Sequence, residues 1–273
     1  KLGHIPLGDA SSAAFKNHLK KYGSIHTLND VTAANALEKT AGLDTLIVSF
    51  HRSNDTPWKA SNFNKEELNI IKKLAAKKTV VLDVFVKPYA LGALERVKGI
   101  DALLLSYQNS AISQKLSVDA LFGAHPVRGR LPVNVSESLK EGAGLDLDGS
   151  FRLGFSSPAE VGFDTTLLSA VDQLAYQAID SMMTPGMRIL AARKGKIFYN
   201  KSFGYHTYDK KQQVKSSDIY DLASLTKILG TLPLVIQSVQ RGKLSLETTI
   251  AELIPEWSNS NKASISLREM LSH

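Results

Sequence analysis

Between about residue 43 and residue 122, short apolar runs alternate with helical patterns, and this alternation restricts the fold more than any other feature of the chain. Leu43-Asp44-Thr45-Leu46-Ile47-Val48-Ser49-Phe50, Thr79-Val80-Val81-Leu82-Asp83-Val84-Phe85 and Asp101-Ala102-Leu103-Leu104-Leu105-Ser106-Tyr107 each read as a strand. Runs this short, β-branched or leucine-rich, suit a sheet buried on both faces. Helical segments lie between and around them. Asn29 is placed to cap Val31–Lys39, and Asn64 to cap Lys65–Ala76, where Leu68, Ile71 and Leu74-Ala75 form an apolar stripe. Tyr89–Val97 and Ser113–Phe122 continue the pattern. The expected fold of this half is α/β, a doubly wound, mostly parallel sheet sandwich. The right-handed crossover rule narrows its topology further.

Length and composition bound the rest. The 273 residues are enough for about two domains. Hydrophobic content of 43% and charged content of 22% are those of an ordinary globular chain with a sizeable core. The net charge is +7, but Lys72-Lys73, Lys77-Lys78 and Lys210-Lys211 are scattered pairs without interleaved aromatics. That pattern reads as a solvated basic surface, and no nucleic-acid partner is expected. With no cysteine, disulfides, thiolate catalysis and Cys-ligated metals are excluded. No metal-ligand cluster is evident, so no cofactor or metal is expected. No apolar run reaches the roughly 18 residues of a membrane span, and no signal peptide is visible. The first residue is Lys1 rather than Met, and His273 directly follows an apolar helical pattern. The expectation is a piece of a longer protein.

The second half has a different rhythm. Ser136–Gly162 shows no sustained period and carries Gly142, Gly144, Gly149, Gly154, Pro158 and Gly162, and within it residues 146–162 read as a linker or an ordered crossover. Asp164–Met183 is an amphipathic helix with Asp164 as its cap, ended by Pro185-Gly186. Met187–Arg193 and Lys196–Phe203 form a hairpin around Lys194-Gly195. Ser224-Leu225-Thr226-Lys227 then heads a long apolar stretch. On a helix, i and i+3 share a face. A serine hydroxyl at a helix start lies where the dipole favours a developing oxyanion, and a desolvated lysine can take its proton. A spacing this short arises by chance about two or three times in a chain of this composition. The competing reading is a serine N-cap with an exposed lysine. Pro233, inside Ile228–Val239, either kinks the helix or marks a new turn at Leu232-Pro233.

Two resemblances bear on these readings. LFGAHPVRGRLPVNV over 121–135, with SVDALFG before it and the strand ends VSFHRSND and ALLLSYQNS, resembles the C-terminal α/β-sandwich domain of family 3 glycoside hydrolases over about residues 1–145. In that family the domain packs beside a catalytic barrel, so the resemblance implies an upstream glycosidase barrel and transfers no catalytic residue to this half. His51-Arg52-Ser53-Asn54-Asp55, directly after a strand, is the one chemical-looking stretch there. Strand carboxyl ends hold ligands in open parallel sheets, but a polar loop without a ligand is the commoner case.

The second resemblance spans about residues 160–273. PGMRILAARKGKIFYNKSFGY, IYDLASLTK, QRGKLSLETTIAELIPEW and ISLREMLSH, in that order after a helix, look like the start of the serine β-lactamase and penicillin-binding family, in its class C-like esterase and D,D-peptidase branch. The fold it implies over 163–273 is a partial α+β serine β-lactamase-like module. The resemblance makes Ser224 the nucleophile and Lys227 its base. It also implies a downstream remainder supplying Tyr-x-Asn or Ser-x-Asn and Lys/His-x-Gly elements, so exposed apolar surface near Ser224 is expected to be the face meant for that remainder. Together the two resemble bacterial β-N-acetylglucosaminidase/β-lactamase fusion proteins. They imply a glycan or peptidoglycan-type substrate and a periplasmic or exported residence. The alternative function is a non-catalytic scaffold or glycan-binding accessory domain with a relic Ser-x-x-Lys.

Overall fold

The structure, a computed structural model, describes residues 1–53, 62–149 and 152–272. The chain divides into two compact units, Lys1–Ser216 and Ser217–His273. The first unit begins with β1 (Leu2–Gly8), α1 (Ala13–Leu19), β2 (His26–Thr27), α2 (Ala36–Lys39), β3 (Thr45–His51), α3 (Lys65–Ala75) and β4 (Thr79–Phe85). A 3₁₀ segment over Pro88–Leu94, β5 (Ala102–Leu105) and α4 (Ala111–Leu121) follow. The strands form one five-stranded sheet in the order β2-β1-β3-β4-β5, and every pair is parallel.

Period-two alternation sends successive side chains to opposite faces of this sheet. Leu46, Val48 and Phe50 of β3 and Val80, Leu82 and Val84 of β4 meet Ile70, Ile71 and Leu74 of α3 in one core. Ile47 and Phe85 meet Phe15 and Leu19 of α1 and Val118 of α4 in the other. Parallel pairing requires such crossovers, and helices on both faces make the sheet doubly wound. The strand order reverses between β1 and β3, which is the switch point of this topology.

α3 starts where its sequence places it: Asn64 accepts from the Glu67 amide at 2.9 Å, and Glu67 returns a bond to the Asn64 amide at 2.7 Å. That reciprocal pair is a capping box. The neighbouring expectation fails. The helix expected over Val31–Lys39 is only Ala36–Lys39, and Asn29 does not cap it. Lys39 instead turns its ammonium back to the carbonyls of Asn29 and Asp30, both at 2.8 Å. β1 carries no strand signal of its own in the sequence because Gly3, Pro6 and Gly8 interrupt it. Pro6 is tolerated because β2 pairs only with Gly3 and His4. The His4 carbonyl faces β2, so Pro6, two residues on, turns its missing N–H to that same side beyond the end of β2. Gly8, at φ 100°, leads the chain over the His51 carbonyl, where a Cβ would stand 2.0 Å from the oxygen.

The rest of the unit holds β6 (Gly154–Phe155), α5 (Leu167–Asp180), β7 (Gly186–Arg193) and β8 (Lys196–Gly204). These strands form a sheet in the order β6-β8-β7, parallel between β6 and β8 and antiparallel in the hairpin. Lys194 at φ 53° and Gly195 at φ 72° make the two-residue turn with left-handed backbone that matches strand twist. α5 begins at Leu167 rather than Asp164. The Asp164 carboxylate binds the amide and hydroxyl of Thr166, at 2.8 and 2.7 Å, and so serves the turn before the helix. Ala175 of α5 packs against Tyr199 and Phe203 of β8, and Asp172 accepts from the Tyr199 hydroxyl and from Lys201. The Phe155 ring lies edge-on to His18 and Tyr22, both of which bind Asp119 of α4 at 2.6 Å.

The second unit is built from α6 (Leu232–Gln240), α7 (Ile250–Leu253) and α8 (Leu267–Ser272). Thr249 and Glu252 form a capping box at α7, and Ser266 and Glu269 exchange the same pair of bonds at α8. Amide-to-carbonyl bonds from Ile250 to Ile265 and from Leu267 to Thr248 tie these two turns together, and Arg268 pairs with Glu247 at 2.7 Å.

Candidate active site

The serine and lysine singled out by spacing lie at the entry to the longest helical run of the second unit. Ala223 sits in the left-handed region at φ 45°. A non-glycine residue there costs on the order of 1–3 kcal/mol, a kind of strain that collects at functional sites. Its amide is held by the Asp221 carboxylate at 2.8 Å. Three consecutive tight turns follow, with the amides of Leu225, Thr226 and Lys227 bound to the carbonyls of Leu222, Ala223 and Ser224 at 2.9, 3.1 and 3.1 Å. Ser224 therefore stands on the last turn before the helix, and its side chain projects from a sharply bent backbone.

The helix then widens. Lys227–Thr231 is a π turn, and α6 proper starts at Leu232 with Pro233 in its first turn. Proline has no N–H to give, and its ring crowds the carbonyl four residues back. A wide turn just before it moves the hydrogen-bond ladder out of that conflict. The backbone stays helical through Thr231 and Leu232, so Pro233 is accommodated by the wide turn inside one helical run and not by a new start at Leu232. Gly242, at φ 66°, closes α6, with its amide on the Val239 carbonyl at 3.0 Å.

Across this entry the Lys227 ammonium donates to the Ser224 hydroxyl at 3.1 Å. The i,i+3 geometry delivers the contact directly. Both residues are exposed, as are Leu225, Ile228, Leu229 and Leu234 around and beyond them. Ile219 is 97% exposed, and α6 buries none of its residues. A helix this apolar with no buried residue presents a face made for cover.

The other sequence candidate resolves differently. His51 and Arg52 are buried at 0% and 7% exposure. Asn54 and Asp55 lie outside the described residues. Arg52 binds Glu67 at 2.6 Å and the Asn62 carbonyl at 3.1 Å, and lies over the Phe50 ring. His51 binds Ser49 and Asn109. Both side chains are committed to holding the sheet's carboxyl edge. Arg52→Ala is accordingly expected to strand a buried carboxylate at Glu67 and to lower stability by about 3–5 kcal/mol, read as a fall in the urea midpoint with unchanged slope.

Among the described residues no cluster of three or more His, Cys, Asp or Glu could hold a metal ion, and no helix is long and apolar enough to cross a membrane.

Comparisons with known proteins bear on the second half. The family model described as Beta-lactamase matches residues 171–273. Protein flp of Staphylococcus aureus (strain N315) is 28% identical over 104 residues, covering 37% of this chain and 21% of that protein. A protein of Escherichia coli (strain K12) named "Putative D-alanyl-D-alanine carboxypeptidase" is 30% identical over 131 residues, covering 43% of this chain and 30% of that protein. The chain thus spans about a fifth of the length of flp. Among solved structures, the RcsB response regulator of Salmonella typhimurium aligns with 67% of this chain and 94% of its own at 13% identity, and its TM-score of 0.31 carries no argument. Ser224 and Lys227 fall inside the matched segment, and residues 171–273 carry a β-lactamase-family domain.

Proposed function

We propose that this chain is part of a two-module bacterial hydrolase in which Ser224 is the nucleophile of a serine acyl-hydrolase and Lys227 its base. The observation that carries the reading is the 3.1 Å contact between the Lys227 ammonium and the Ser224 hydroxyl at a strained helix entry inside the family match. Ser224 Oγ attacks a carbonyl carbon as its proton passes to a neutral Lys227 amine, giving an acyl-enzyme and releasing an amine or alcohol. Water then hydrolyses the ester and frees the serine. The Ser224 amide, at the positive end of the helix, supplies one donor to the oxyanion. A lysine becomes a base by losing contact with water, so the exposed apolar face around Ser224 is read as the seat of the remainder of the domain.

For the first module, the resemblance of residues 1–145 to the family 3 glycoside hydrolase sandwich supports a glycosidase of the N-acetylglucosaminidase type, with its barrel upstream. In this proposal residues 146–162 join the modules and 163–273 begin the serine module. A sugar-cleaving and an acyl-cleaving module in one chain suit a cell-wall glycopeptide substrate in the periplasm or outside the cell. That pairing is by analogy of folds.

The exposure of Lys227 favours a second reading, a scaffold or glycan-binding domain whose Ser-x-x-Lys is a relic. Turnover by the full-length parent separates the two. A panel of a chromogenic cephalosporin, a D-alanyl-D-alanine peptide and an aryl ester is expected to show hydrolysis of at least one, abolished by Ser224→Ala. No turnover of any member by the folded full-length protein supports the scaffold.

A further inference from the structure

We infer that His4 and His51, buried in the five-stranded sheet, are locked in opposite tautomers within one directional hydrogen-bond chain, and that Asn109 sets its direction. The chain links Thr27, His4, Ser49, His51 and Asn109, through contacts of 3.1, 2.8, 2.9 and 2.7 Å in that order.

The direction follows from two backbone groups whose polarity cannot change. The Phe15 amide donates to Gln114 Oε1 at 2.8 Å, so the other end of that side chain is its NH₂ group. Gln114 Nε2 meets the Ser11 carbonyl at 2.8 Å and Asn109 at 2.7 Å. An NH₂ group only donates, so the Asn109 atom it meets is the oxygen. Asn109 Nδ2 meets the same Ser11 carbonyl at 3.3 Å, which agrees. The oxygen also receives His51 Nδ1, so the His51 proton is on Nδ1. Neutral imidazole then leaves His51 Nε2 bare, and it accepts the Ser49 hydroxyl proton. A serine has one proton to donate. The Ser49 contact to His4 therefore runs the other way, from His4 Nε2–H to Ser49 Oγ, and the bare His4 Nδ1 accepts from the Thr27 hydroxyl.

Both rings are kept neutral by their surroundings. His4 stacks on Phe15 at 5.1 Å and His51 on Phe85 at 4.6 Å. Burial comes first in holding each ring's pKa well below the usual range, and the Lys16 charge adds to it for both. The reversed chain would satisfy every contact but the last, where bare His51 Nδ1 would face the Asn109 oxygen at 2.7 Å. Asn109 is thus the selector. Through it the loop before α4 and the segment before α1 are tied to the sheet's carboxyl edge, beside the reversal of strand order between β1 and β3.

The test is nitrogen-15 NMR of the imidazoles in the whole chain at neutral pH, where two-bond couplings distinguish the tautomers. The expected spectrum has His51 as the Nδ1–H form and His4 as the Nε2–H form, each favoured by at least about tenfold, the size set by one unmade buried hydrogen bond. Asn109→Ala removes the selector, and both rings are expected to shift toward the opposite tautomer together. Asn109→Asp keeps an acceptor oxygen and is expected to retain the wild-type pattern. His51 as Nε2–H in the wild type overturns the assignment, with no variant needed. Asn109→Ala leaving both rings unchanged, or moving one alone, overturns the role of Asn109.

Discussion

Ser224→Ala in the full-length parent is expected to lower kcat for ester, peptide or lactam turnover by at least about 10³-fold, the scale on which hydrolases lose activity when the nucleophile goes. Ser224 Oγ is the atom that forms the acyl bond in the proposed reaction, and it is the hydroxyl that Lys227 contacts at the bent entry to the helix. Lys227→Ala is expected to lose a comparable amount, and the double variant little more, because the two act as one unit. Lys227→Arg is the sharper variant. It keeps a cation within reach of Ser224 but cannot give up its proton at any working pH. If Lys227 is the base, the arginine variant is as inactive as the alanine variant. If Lys227 only supplies positive charge, the arginine variant keeps a large part of the rate. Steady-state kinetics on the three variants, with circular dichroism as the check on folding, reads the difference.

The second large effect is on stability against pH, and it resides in the first unit. Burial holds the His4 imidazole down at about 3, with repulsion from His51 and then Lys16 adding to it, and the His51 imidazole at about 4, with the Asn109 bond partly opposing it and Lys16 adding to it. Asp83 moves the other way: burial pushes its carboxyl up to about 7, against bonds from the Ser117 and Ser106 hydroxyls. The unfolded chain titrates these groups near 6.5 and 3.8. Below pH 6.5 the unfolded state takes up protons on the two histidines that the native state refuses, so stability falls as pH falls toward the folded values. For Asp83 the native state keeps a proton that the unfolded state has lost. Its contribution is fully present below about 3.8 and is lost as pH rises through about 7.

The two histidines outweigh the one carboxyl between about pH 4 and 6.5, so stability is expected to rise with pH there and to peak near neutrality. Asp83→Asn separates the contributions. Asparagine keeps the shape and can bind both serines without ionising. Its stability relative to wild type is expected to climb by several kcal/mol, roughly 1.4 per pKa unit, between pH 4 and 7, and to level off above. Urea midpoints at four or five pH values measure it. A difference independent of pH would mean that Asp83 does not titrate between its unfolded value and neutrality.

Several elements are legible in the sequence alone. β3 and β4 announce themselves because burial on both faces leaves continuous apolar runs. α3 does so because Asn64 and Glu67 stand at the capping-box spacing, a purely local signal. Lys194-Gly195 marks the hairpin for the same reason. β1 could not be read, because its Gly3, Pro6 and Gly8 look like loop residues until β2 is known to end beside His4. Gly154-Phe155 was hidden likewise, since its strand character depends on β8, more than forty residues away, whose Lys196 and Ile197 it pairs with. The helix expected over Val31–Lys39 with Asn29 as its cap shrinks to Ala36–Lys39, because the turn before it is held by Lys39 folding back onto the carbonyls of Asn29 and Asp30, a contact no local pattern announces. At the candidate site the serine–lysine pair was legible from spacing and resemblance. The π turn was not, since Pro233 alone leaves two local solutions. The His4–Ser49–His51–Asn109 chain was invisible because its members come from β1, β3 and the loop before α4.

In the proposed reaction Ser224 forms an acyl-enzyme. The most direct measurement is intact-mass and peptide-mass analysis of the full-length parent after brief incubation with a penicillin or an activated ester. The expected result is a mass increase equal to the whole penicillin, or to the acyl group of the ester, on the peptide containing Ser224, and none in Lys227→Arg. A folded protein that turns over these compounds with no adduct on that peptide, or with the adduct on another residue, would contradict it.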